Sequence, residues 1–185
     1  MDAAGENFTR ILSMTLGNMI NFRGDLSTIV CSTLGASAED RLSPDPERLK
    51  MVKWTMDTFQ ELVAEKLKGF EREFKELNMM LFPEVLERIA QYDRVLSSRG
   101  GSMLLCGSSG VGRRSCMLLL AYMHLMEFYS PKMTKNYDMK AFRNDLKEVL
   151  KRAGVEGKPV MLFIEDYQIL DPAYLEYINS LLSGG

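Results

Sequence analysis

Residues 102–120 read SMLLCGSSGVGRRSCMLLL, and the reading of this stretch decides the fold. Met103 to Cys106 is an apolar run of strand length. Gly107-Ser108-Ser109-Gly110-Val111-Gly112 is a glycine-rich turn, and Cys116 to Met123 is an apolar, helix-like run. Strand, turn and helix in that order are the setting in which G-x-x-x-x-G-K-[ST] cradles a triphosphate. Glycines let the backbone take positive φ and turn its N–H groups inward. The helix that follows points its positive end at the phosphates. Gly107 and Gly112 fill the two glycine positions, but Arg113 stands at the Lys position and Arg114 at the Ser/Thr position. The candidate nucleotide-binding set is therefore Gly107, Ser108, Ser109, Gly110, Val111, Gly112, Arg113 and Arg114. The competing reading is an ordinary glycine turn in front of a core helix.

Composition narrows the class. With 185 residues the chain has room for one or two domains. Hydrophobic residues at 46% and charged residues at 26% are the balance of a globular protein. The net charge of −2 gives no basic excess to draw nucleic acid. No run of eighteen apolar residues is present, so no membrane span is expected. Cys31, Cys106 and Cys116 are odd in number and lack C-x-x-C spacing, which reads as reduced core thiols of an intracellular protein.

Upstream of the loop the pattern is helical. Phe8, Ile11, Leu12, Leu16, Met19 and Ile20 have helical spacing, and Leu26, Ile29, Val30 and Leu34 extend it to a second helix. Gly35 to Ser43 reads as a loop. Asp45 and Pro46 are a cap and a first helical residue. The stripe Val52, Met56, Phe59, Val63, Leu67, Phe70, Phe74, Leu77 then predicts one long amphipathic helix, bent at Gly69 and packed on a neighbouring part of the chain. These elements make residues 1–77 an all-α segment. Pro83 opens a further helix through Leu96.

Downstream, Glu127 to Met133 reads as a second strand. Asp138 caps a helix with core face Phe142, Leu146, Val149 and Leu150, ended by Gly154. Pro159 to Ile164 is a continuous apolar run, as in a strand covered on both faces. It ends in Glu165-Asp166, and Asp171-Pro172 starts a last helix, Ala173 to Leu182. From Ser102 the order is β-α-β-α-β-α, so residues 78–185 are predicted to form an α/β unit, a parallel sheet with flanking helices. Two acids at the tip of a buried strand are hard to explain by packing. In phosphate-loop ATPases an acid there holds Mg²⁺ and the next can polarise water, which makes Glu165 the metal candidate and Asp166 the catalytic one. His124 reads as a surface or cap residue.

The substitutions change the chemistry. Arg113 keeps the charge of Lys but is larger and planar. Arg114 cannot replace Ser or Thr, because guanidinium has no lone pair for Mg²⁺. The Ser115 hydroxyl lies one residue on, rotated by about 100° around the helix. Glu165 and Asp166 are exchanged relative to the usual Asp-Glu order. A loop that only retains an ancestral shape is the alternative. A small phosphate-loop kinase or GTPase would need the Lys-Ser/Thr pair that is absent here.

LNMMLFPEVLERIAQYDRVLSSRGGSMLLCGSSGVGRR, residues 77–114, resembles the start of the fourth AAA+ module of dynein heavy chains. The frame Phe82, Asp93-Arg94-Val95-Leu96, Gly101, Leu104-Leu105, Gly107 carries the likeness. Phe128 to Lys132, Phe163 to Gln168 and Ile178 to Leu182 look most like the intraflagellar-transport class of that family, cytoplasmic dynein-2. The resemblance implies a truncated AAA+ phosphate-loop module, preceded by the end of another module and its connecting helix. It implies an accessory site for ATP or ADP, with Mg²⁺ weak or absent. It also implies as partners the remaining modules of the ring, the microtubule through the intact motor, and dynein intermediate and light chains, with no nucleic acid. The cytoplasm, cytoskeleton and cilium are the implied locations, and minus-end-directed ciliary transport the implied work. The family's sheet runs 5-1-4-3-2, and by that likeness this chain carries its first three strands only.

Overall fold

The computed structural model describes residues 29–43, 49–98 and 100–183. The helix read over Phe8 to Ile20, Leu26, and the cap Asp45-Pro46 lie outside them.

The first described element is a strand. β1 (Ile29–Ser32) pairs antiparallel with β2 (Val52–Thr55), with Val30 opposite Trp54. The sequence reading puts helix at both places. A step of four residues from Val52 to Met56 fits helical spacing, but Ile29, Val30, Val52 and Thr55 are β-branched and prefer the pleated backbone. The segment before residue 78 thus holds a two-stranded ribbon beside its helices and is not all-α. Between the strands, α1 (Ala38–Leu42) replaces the expected loop, with the Ser37 hydroxyl accepting from the Asp40 amide at 3.1 Å. Gly35 lets Trp54 lie close, since a Cβ there would stand 2.5 Å from Trp54 Cζ2.

α2 (Met56–Glu73) begins at the Thr55 cap, not at Pro46, and ends before Leu77. Its buried stripe is Phe59, Val63, Leu67 and Phe70, while Phe74 is exposed. The helix runs on through Gly69, where a Cβ would come within 3.1 Å of the Tyr122 hydroxyl. That glycine therefore makes room for a neighbouring helix, a role the expected bend does not need. α3 (Pro83–Leu96) starts with its proline in the first turn and buries Leu86, Ile89, Ala90 and Asp93. α4 (Arg113–Met123) buries Cys116, Met117, Leu119, Leu120, Ala121 and Met123. The α2 stripe packs with α3 and α4 into a core that Val30 and Met161 also join, as the intrachain reading expects. Cys31 and Cys106 are exposed and only Cys116 is a core thiol.

β3 (Glu127–Tyr129) pairs parallel with β4 (Val160–Leu162), Phe128 opposite Met161. Between them run α5 (Met139–Leu150) and a π turn, Lys151–Val155. Asp138 caps α5 by accepting from the Ala141 amide at 2.8 Å. Leu150 is exposed, unlike Phe142, Leu146 and Val149, and the coil continues through Gly154. α6 (Ala173–Ser183) follows Asp171, whose carboxylate accepts from the Ala173 amide at 2.8 Å. Phe142 and Tyr174 stack at 4.3 Å in a second core with Tyr137 and Leu146. The result is a mixed α/β fold with a parallel strand pair covered by helices.

One predicted strand does not form. Met103 to Cys106 pairs with no other strand among the described residues, and Leu104 is 88% exposed. A strand needs a partner for its backbone groups, and among the described residues β3 and β4 pair only with each other. The adjacency of β3 and β4 matches the second and third strands of a 5-1-4-3-2 sheet. That order sets another strand between β4 and the run at Met103.

Candidate functional site

The loop between Cys106 and α4 takes its shape from its glycines. Gly110 and Gly112 sit at φ +84° and +78°, a region that residues with a side chain rarely adopt. A Cβ at either position would meet no atom within 4 Å, so these glycines answer to backbone shape and not to crowding. Gly112 is the N-cap of α4 and supplies no side-chain cap. Among the described residues, no protein acceptor takes the N–H groups from Gly107 to Ser115. Such free donors at a helix start are what an anion uses. Ser108 and Ser109 are exposed. Arg113 turns back on its own loop and donates from Nη1 to the Gly107 carbonyl.

Arg114 faces the other way, to the end of the acid strand. Its Nη1 donates to Glu165 Oε2 and forms an ion pair with it. Its guanidinium carbon lies 5.7 Å from the Phe128 ring centre and 5.8 Å from that of Phe163. Those two rings are themselves 5.5 Å apart, on neighbouring strands brought together by the β3–β4 pairing. Glu165 Oε2 also accepts from the Tyr167 hydroxyl at 3.1 Å, and the Glu165 side chain caps the 3₁₀ turn Asp166–Gln168. Burial first, and then the Glu165 carboxylate, push the Tyr167 phenol up. Gln168 fixes this turn from below. Buried, it accepts the Glu165 amide at 2.7 Å and donates to the Pro131 carbonyl at 2.7 Å and to Ser130 Oγ at 3.1 Å. Asp166 is exposed and its side chain has no hydrogen bond among the described residues.

The structure thus brings the Gly107–Arg114 loop and Glu165 together through Arg114, while the neighbouring Asp166 is exposed and makes no side-chain hydrogen bond among the described residues. The open N–H groups fit a nucleoside phosphate. The donor set does not fit Mg²⁺, because Arg114 can only donate and the Glu165 carboxylate is already engaged by Arg114, Tyr167 and its own turn. Phe128, Phe163, Tyr167 and Gln168 belong to no phosphate-loop motif, and the family likeness of their segments assigns them no role at the site. The signal for Gln168 is a polar residue beside an apolar strand, with nothing in the sequence to name its partners.

A second polar cluster holds the far end of α4. Asp93 is fully buried and accepts from Ser32 Oγ at 2.9 Å, the Thr33 amide at 2.7 Å and Thr33 Oγ1 at 2.7 Å. His124, the C-cap of α4, is buried and not a surface residue. Its Nε2 lies 2.9 Å from Asp93 Oδ1, with the N–H off line, and its Nδ1 lies 3.1 Å from Arg41 Nη1. Guanidinium only donates, so Nδ1 accepts and the ring presents its N–H edge to Asp93. Burial pushes the Asp93 carboxyl up, but the contacts from His124 and Thr33 outweigh it and hold it below the usual carboxylate range.

The family described as the P-loop containing dynein motor region D4 matches residues 77–185. The chain belongs to this dynein family. Cytoplasmic dynein 2 heavy chain 1 of Chlamydomonas reinhardtii is 66% identical over 180 residues, 97% of this chain and 4% of that protein. The Homo sapiens protein of the same name is 43% identical over 151 residues, 82% of this chain and 4% of its own length. Dynein heavy chain, cytoplasmic, of Paramecium tetraurelia is 33% identical over 129 residues, 70% of this chain and 3% of its own. The chain therefore spans a few per cent of the length of the curated relatives it matches. A dynein P-loop region is a nucleotide-binding class of structure. Among the described residues no helix is long and apolar enough to cross a membrane.

Proposed function

We propose that this segment is the accessory nucleotide module of a cytoplasmic dynein-2 heavy chain. Residues 78–185 form the front of the module, and residues 1–77 the end of the preceding one with its connection. The loop Gly107 to Arg114 takes ATP or ADP and passes the state of the site to the neighbouring ring modules. It thereby contributes to minus-end-directed movement on microtubules in cytoplasm and cilium, within a motor that also carries intermediate and light chains. The observation that carries this reading is the run of unengaged N–H groups at the start of α4, in the cradle backbone set by Gly110 and Gly112.

Hydrolysis at this site is slow or absent in the proposal. Glu165 is tied to Arg114 and Tyr167, and Asp166 stands apart on an exposed turn. Glu165 is engaged and not free to act as a base, no hydrogen bond among the described residues orients the Asp166 carboxylate, and misplacement by ~1 Å costs about 10²-fold in rate. A second reading, a purely structural module, rests on Arg113, which already satisfies the Gly107 carbonyl.

Photo-crosslinking of an azido-ATP to the full heavy chain, followed by peptide mapping, separates the two. Label on the peptide spanning Ser102 to Met117 is expected. Its absence, with label present on other peptides of the motor, would favour the structural reading.

A further inference from the structure

Resting on the nucleotide reading above, we propose that Arg114 is a built-in substitute for the divalent cation. The loop then takes a nucleoside di- or triphosphate without metal. In a phosphate loop with Ser or Thr at this position, the hydroxyl holds Mg²⁺ and the metal bridges phosphate to the acid at the strand end. Here residue 114 spans that interval itself, from the first turn of α4 to Glu165. The ion pair spends one Nη1 hydrogen, and the guanidinium keeps further N–H donors for a phosphate oxygen. The Arg114 side chain is 43% exposed while the Glu165 side chain is 25% exposed, so the cation is the more open member of the pair.

Three features fix the arrangement. Phe128 and Phe163 flank the guanidinium at 5.7 and 5.8 Å and orient a planar cation, which an ammonium does not require. The Tyr167 hydroxyl takes up further acceptor capacity on Glu165 at 3.1 Å. Gln168 anchors the turn that carries Glu165 to Pro131 and Ser130. A metal at this point would have to displace Arg114 from a carboxylate that the fold has already committed to it. A phosphate has no such obstacle, because the loop amides and the guanidinium N–H groups outside the ion pair are donors.

The test uses the full heavy chain, stripped of loose nucleotide by desalting in Mg²⁺ or in EDTA. Bound ADP and ATP are then counted after denaturation. The contribution of this loop is the difference from a Gly110→Val chain, in which the left-handed backbone at 110 is forbidden. A difference of about one nucleotide per chain in both buffers is expected. A difference seen in Mg²⁺ but not in EDTA overturns the metal-free proposal and leaves the nucleotide reading standing. No difference in either buffer removes the nucleotide reading, and this proposal with it. The variant Arg114→Thr supplies a second arm that does not depend on Gly110. It is expected to bind the loop nucleotide about tenfold or more weakly in EDTA and to recover in Mg²⁺. Equal retention by Arg114→Thr in EDTA overturns the assignment of Arg114.

Discussion

Replacing Asp93 with Ala tests the joint between the β1–β2 ribbon and the helices behind the loop. Asp93 has no exposed surface and satisfies three donors, Ser32 Oγ, the Thr33 amide and Thr33 Oγ1. Ser32 and Thr33 are as buried as Asp93, so water does not readily replace the carboxylate. Stranding a buried donor costs about 1–3 kcal/mol, and deleting one member of a buried charged cluster about 3–5 kcal/mol in total. A loss of about 4 kcal/mol is expected, a large share of the 5–15 kcal/mol typical of a domain. Trp54 is the single tryptophan and sits on β2 opposite Val30, so its fluorescence reports the ribbon directly. Urea unfolding followed at Trp54 should shift to lower denaturant, with the ribbon loosening ahead of helix loss read by circular dichroism. The pH dependence has a fixed sign. The folded carboxyl is held below its usual range, so its contribution is present at neutral pH and is lost as pH falls through the depressed value. A loss under about 1 kcal/mol, with Trp54 and helix signals still coincident, would refute this account of the joint.

Two further outcomes follow from the packing. Phe70 is buried against Tyr122 at 5.6 Å and Phe74 at 5.0 Å, so Phe70→Glu should cost about 3–5 kcal/mol or more, and sedimentation should show the unaltered segment as a monomer. A tight dimer dissociated by this change would contradict the intrachain packing of α2. Burial and the Asp145 carboxylate, which accepts from the Tyr129 hydroxyl at 2.7 Å, push the Tyr129 phenol up to about 12. Its neutral form stabilises the fold below the ordinary phenol range, and that contribution is lost as pH rises through about 12. Ultraviolet titration should find this phenol ionising late and returning toward the ordinary range in Asp145→Ala; an unchanged titration curve would count against the contact.

The loop and its flanking order were legible because φ > 0 favours glycine and because a helix following a glycine turn has a recognisable apolar run. Asp138 and Asp171 were legible as caps for the same reason, since short acceptors favour those positions. The ribbon was not. Val52, Met56 and Phe59 repeat at helical steps by coincidence, and only the β-branched character of Val52 and Thr55 argued otherwise. The strand at Met103 to Cys106 failed for a different cause: an apolar run states that it wants burial, and pairing depends on what lies beside it. Arg114 was read as unable to hold a metal, but the two rings beside it, Phe128 and Phe163, come from β3 and from beyond β4. A motif carries no information about side chains that meet through sheet pairing. His124 shows the converse, a lone residue whose partners Asp93 and Arg41 lie far away in the chain.

The placement of α4 has a mechanical side. Its eleven residues make a bar about 16 Å long. Its first turn carries the arginines of the loop, and its last residue leads into His124 against Asp93. Pivoting such a bar by about 5° at the loop swings the other end by about 1.4 Å. The contact there, His124 Nε2 to Asp93 Oδ1 at 2.9 Å, has no slack for that swing. Either His124 slides off Asp93, or α3 and the ribbon bonded to its carboxylate travel with the bar. By the second route an adjustment at the loop is geared up into displacement of a ribbon at the other end of the bar.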